Sequence, residues 1–191
     1  MLRDLVRSRL IRPRRVLTRF RKDAKGATAI EFGLLAMPFF IMLMMIVETS
    51  MSFWTRQVLQ EATSQAARTI LTGESRKLYT GTTIEQTGKF RDAICANMKI
   101  GSDCAARLFV DVQPMGASFP PSVAATMISG NKIDPSKFMM RPVAPSEVAV
   151  VRVAIKMPVL VQGFFGTMAA LDDGSSVLQA VVAFQAEPYV L

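Results

Sequence analysis

Apolar and polar positions divide this 191-residue chain into stretches with different periods. From Ala27 to Val47 there are 21 residues and one charge, Glu31. As a helix this run spans about 31 Å, the hydrocarbon thickness of a bilayer. In lipid a helix satisfies every backbone group within the segment, so the run predicts a single spanning helix. The pattern continues through Thr49, Ser50, Met51 and Trp54. Beyond them Val58, Ala62, Ala66 and Ile70 recur every four residues, with Arg56, Gln60, Glu61 and Arg68 between them. One helix over 27–71 is expected, its first half for lipid and its second amphipathic. Pro38 lacks an amide hydrogen and crowds the preceding turn, so it predicts a kink. A secretory signal peptide has a shorter apolar core ending at a small-x-small site, and fits less well.

The remainder, 73–191, is 119 residues, enough for a modest core. Gly73-Glu-Ser-Arg-Lys reads as a loop. Thr83-Ile-Glu-Gln86 fits a capping box opening a second helix, whose Phe90, Ile94 and Met98 fall on one face. Past Cys104, Leu108, Val110 and Val112 alternate with Phe109, Asp111 and Gln113, as in a strand facing one core. From Gln113 to Pro145 there are six prolines among many apolar residues, which predicts an ordered excursion packed on the sheet. A second strand is expected over 147–160, with Val151, Val153, Ile155 and Met157 opposite Arg152, Ala154 and Lys156. A short segment over 163–171, an Asp172-Asp173-Gly174 turn and a last strand over 176–186 follow. The expected class is α+β: a long N-terminal helix, a short helix and about three antiparallel strands.

Charge and composition narrow the function. The net charge is +8, and the arm 1–26, with ten Arg or Lys against Asp4 and Asp23, carries all of that excess. A basic run can bind nucleic acid, but beside an apolar span it reads as the cytoplasmic anchor of the positive-inside bias. That orientation puts the N-terminus in the cytoplasm and the C-terminal part outside, with Glu48 at the outer interface. Histidine is absent and there are two cysteines, so a metal cage or a histidine base has no residues to build it. No nucleophile elbow or phosphate loop is present. Catalytic residues, metal and cofactor are therefore expected to be none. Met37, Met42, Met44, Met45 and Met51 read as pliable apolar filler, and Asp172 and Asp173 as a turn and not a calcium site.

Glu31 is the exception in the span, because an ionisable residue in lipid is costly and marks function. Its context, Lys25-Gly26-Ala27-Thr28-Ala29-Ile30-Glu31-Phe32, resembles the processing site of type IV prepilins: a basic leader, a glycine, and a glutamate five residues after it. The longer string through Met37-Pro38-Phe39-Phe40 and the stretch Arg56 to Arg68 resemble the TadE-like pseudopilins of the Tad (tight adherence, Flp-type) pilus system. Phe184 to Tyr189 resembles the ends of such chains more weakly.

The resemblance implies that a prepilin-type peptidase cuts between Gly26 and Ala27. Cleavage would remove the arm and leave an α-amine on Ala27, protonated at neutral pH. That amine would pair with Glu31, on its own chain or a neighbour's. The competing reading is a glutamate that snorkels to the interface. Ala29 and Gly33 form a small-xxx-small pair, a candidate for helix packing. The implied partners are the peptidase, other Tad pilins or pseudopilins, the inner-membrane Tad machinery and membrane lipid. No nucleic acid and no small-molecule substrate are implied. The implied organisation is a leader over 1–26, a helix over 27–72 and a periplasmic domain over 73–191. In an oxidising periplasm Cys95 and Cys104 are expected to form a disulfide, with buried free thiols or intermolecular pairing as alternatives. Two other functions stay open: a TadF-like or TadG-like relative, and an uncleaved single-span anchor whose outer domain binds an envelope partner.

Overall fold

A computed structural model describes residues 24–99, 103–115, 128–129, 131–159 and 171–188. Most of the basic arm and the segment expected over 163–170 lie outside these residues. The first element is helix α1, Ala24–Leu71, which includes Pro38 without interruption of the helix. After it come two shorter helices, α2 (Ser75–Leu78) and α3 (Thr83–Met98), then a single helical turn, α4 (Cys104–Arg107). The strands are β1 (Leu108–Pro114), β2 (Ile128–Ser129), β3 (Lys132–Ile133), β4 (Val148–Pro158) and β5 (Ser175–Gln185). The chain divides into two compact units, residues 1–46 and 47–191.

The second unit is built on an antiparallel sheet of order β1-β4-β5, and β2 and β3 form a separate two-stranded hairpin. The register places Val110 opposite Val153 and Val112 opposite Val151, and Val151 in turn opposite Val182. Since alternate side chains share a face, Leu108, Val110, Val112, Ala149, Val151, Val153, Ile155 and Ala180 form one apolar surface, all buried. Against it pack Leu59, Ala62, Ala66, Ala67 and Ile70 of α1 and Phe90, Ile94 and Met98 of α3. The alanines of α1 remove side-chain bulk on the face turned to the sheet. Thr63, fully buried among them, donates its hydroxyl to the Leu59 carbonyl at 2.7 Å, so the polar group is satisfied inside the core.

Three local features differ from expectation. The Gly73–Lys77 stretch, expected as a loop, runs into the one-turn helix α2, which begins at Ser75. The capping box of α3 sits one residue earlier than the sequence suggested: Thr82 is the N-cap, its side chain accepts from the Glu85 amide, and Glu85 accepts from the Thr82 amide at 2.8 Å. Gly81 decides the frame, because its φ of +114° is open to glycine, and a β-carbon there would strike the Glu85 carboxylate. Thr82 holds the Glu85 carboxyl below its ordinary pKa. The second strand is buried on both faces, not one. Asp111 and Arg152 lie directly opposite in register, 1% and 6% exposed. Arg152 Nε donates to Asp111 Oδ2 at 2.9 Å and its Nη2 to the same oxygen.

The excursion after β1 packs as expected where it is described. Met140 bridges to Val112, Val143 is buried, and the Phe138 ring lies 5.4 Å from that of Phe109. The part over 116–127 is outside the described residues. Cys95 and Cys104 form a disulfide with Cα atoms 5.7 Å apart, joining the end of α3 to the turn that leads into β1.

Candidate functional site

The first turns of α1 carry the residues singled out in the sequence. Gly26 and Ala27 are helical. Glu31 follows Ala27 by four residues, so both lie on one face, about 6 Å apart along the axis. Ala29 and Gly33 make a second pair with the same spacing, rotated by about 200° from the first at 3.6 residues per turn. The two pairs therefore occupy nearly opposite sides of the helix. Glu31 and Ala29 are exposed, and a β-carbon built on Gly33 would meet nothing within 4 Å. These five residues come together as consecutive turns of one element, with no long-range contact needed to assemble them.

Around and beyond them the helix is apolar on every side. Fifteen large apolar side chains between Ile30 and Trp54 are exposed, Leu35 by 74% and Phe32 by 71%. At about 1.5–3 kcal/mol for each large apolar side chain fully removed from water, and with these rather more than half exposed, leaving them in water forgoes about 20 kcal/mol. That exceeds the whole stability of an ordinary domain, about 5–15 kcal/mol. The segment therefore needs an apolar environment. α1 is long and apolar enough to cross a membrane.

The second unit offers little chemistry. Among the described residues no three His, Cys, Asp or Glu side chains gather where they could hold a metal ion. Asp172 and Asp173 each face a lysine, Lys132 at 4.0 Å and Lys156 at 3.0 Å, so the turn neutralises its own acids. The Ser175 hydroxyl, then Lys156 and the Ser175 amide, pull the Asp173 carboxyl down to a pKa of about 2. A crevice of about 440 Å³ lies between the end of α1, α2 and the 140–143 segment. Arg76 at its rim donates to the Val143 carbonyl at 3.2 Å.

The sequence reading did not find the Asp111–Arg152 pair, whose detection needs the strand register. Nor did it give weight to the exposed Phe53 and Trp54, which follow from the same apolar run.

Fold and helix together define a class: an α+β protein with one N-terminal apolar helix suited to anchoring in a membrane. Residues 26–68, from Gly26 through most of α1, match the family model described as TadE-like protein. This is the family that the string from Gly26 through Phe40 and the stretch Arg56 to Arg68 resemble. The match covers less than half of the chain and suggests a protein related to the Tad pilus. No curated protein and no solved structure matches the chain.

Proposed function

We propose that this chain is a minor pilin or pseudopilin of a Tad pilus system, made as a precursor and cut between Gly26 and Ala27 by a prepilin-type peptidase. The observation that carries the proposal is a conjunction. A TadE-like match begins at Gly26, a glutamate stands five residues after that glycine, and an apolar helix follows. The leader is 1–26, the membrane and amphipathic helix 27–72, and the periplasmic domain 73–191. The N-terminus faces the cytoplasm across the bacterial inner membrane, in keeping with the basic arm. Gly26 gives the peptidase unobstructed backbone. The new amine on Ala27 pairs with Glu31, because each charge alone in lipid is costly and the two partly cancel. On the other side of the helix, Ala29 and Gly33 let a neighbouring pilin helix approach closely. The protein acts with other Tad pilins and the inner-membrane machinery in building the pilus, by priming the filament or linking it to that machinery.

Two substitutions test this in cells that make the pilus. Gly26→Ala should stall processing, leaving the precursor in the membrane. Glu31→Ala should leave processing largely intact and impair assembly. Normal assembly of Glu31→Ala would remove the charge-pairing role, and normal processing of Gly26→Ala would remove the cleavage site from Gly26.

A further inference from the structure

The outward face of α1 changes character within three residues. Met51, Phe53 and Trp54 are 48%, 63% and 57% exposed. Thr55 is buried, and from Arg56 to the end of α1 the exposed side chains are Arg56, Gln57, Gln60, Glu61, Gln65 and Arg68. Thr49 and Ser50 are already exposed before Met51, but large apolar residues of α1 stop facing out at Trp54, and from Arg56 the exposed side chains of the helix are polar only. From Ile30 to Trp54 the helix rises about 36 Å, longer than the roughly 30 Å hydrocarbon layer and shorter than the 40–45 Å that includes headgroups. A span beginning near Ile30 thus ends, at Trp54, among the headgroups. Tryptophan suits that depth, having an apolar body and one N–H donor.

We propose that Met51, Phe53 and Trp54 form an anchor at the lipid–water boundary, with the Trp54 indole among the headgroups. The occupant is lipid, not a protein groove, because of how the three side chains are arranged. At 100° per residue they sweep about 160° of the helix circumference, whereas a groove engages one narrow face. This inference rests on the membrane-spanning reading above and adds the depth at which the span ends.

Trp54 is the only tryptophan in the chain, so the intact protein reports on this site without labelling. The protein is reconstituted in phosphatidylcholine–phosphatidylglycerol vesicles whose acyl chains carry bromine at shallow or at deep positions. The expected result is blue-shifted emission, with a larger loss of intensity from shallow bromines than from deep ones. A parallel sample carries Phe40→Trp in a Trp54→Phe background and should be quenched most by deep bromines. If that sample is quenched by deep bromines but Trp54 is quenched by aqueous iodide and by no bromine, the span stands and the anchor is overturned. Stronger quenching of Trp54 by deep bromines also overturns it, placing the boundary further along α1. Absence of bromine quenching in both samples overturns the span and the anchor together.

Discussion

Replacing Cys95 and Cys104 together by alanine opens a cross-link with a sequence separation of 9. In the chain-entropy description, a closed loop of that length removes about 2.6 kcal/mol of freedom from the unfolded chain. The bond joins α3, whose Phe90, Ile94 and Met98 are buried in the core, to the turn preceding β1, so its loss is felt by the whole second unit. With a urea m-value of about 1.5 kcal/mol/M, the unfolding midpoint should fall by about 1.7 M. The assay is near-ultraviolet circular dichroism of the protein in detergent micelles. Tyr79 is a useful reporter, its ring packed edge-on against Phe90 at 5.5 Å. Dithiothreitol should lower the midpoint of the unsubstituted protein by a similar amount and leave the double variant unchanged. If thiol titration showed both cysteines reduced while the midpoint stayed at its oxidised value, the loop-closure reasoning would be refuted.

Three further outcomes follow from the same unit. Asp111→Ala leaves the Arg152 guanidinium buried without its carboxylate and should cost about 3–5 kcal/mol, whereas an Asp111→Leu/Arg152→Leu double variant should cost far less; equal midpoints for the two in the urea series would contradict this. Gly81→Ala should cost about 2 kcal/mol, combining a strained backbone with a displaced Glu85 cap, while Thr82→Ala should cost about 1 kcal/mol, with thermal melts as the check. The Asp173 carboxyl has its pKa depressed from 3.8 to about 2, so its stabilising contacts are complete above pH 3.8 and are lost as the pH falls through about 2. The Ser175 amide, which donates to that carboxylate, should show the transition by NMR, and a midpoint at the ordinary 3.8 would count against it.

What could be read in the sequence was what repeats along the chain. The four-residue spacing of Phe90, Ile94 and Met98 and the alternation of Leu108, Val110 and Val112 marked buried faces correctly, because each period is a local property of helix or strand. The same reasoning slipped on α1, where a strict four-residue step chose Val58. The fully buried neighbour is Leu59, since the true period is 3.6. At the start of α3, Thr82-Thr83-Ile84-Glu85-Gln86 admits two capping frames, and only the backbone conformation of Gly81 separates them. Asp111 and Arg152 looked like solvent-facing positions of two half-buried strands. That they neutralise each other depends on strands 41 residues apart meeting in one register, which no local pattern contains. The candidate processing segment needs no such register, because its residues are neighbours in sequence and one helix carries them all.

The central claim is that a peptidase frees Ala27 at the head of a membrane helix. N-terminal sequencing of the protein extracted from the membrane fraction of cells that make the pilus tests it most directly. The sequence should begin Ala-Thr-Ala-Ile-Glu, with the basic arm gone. A membrane-embedded protein that still begins at Met1 would contradict it and leave the uncleaved anchor in its place.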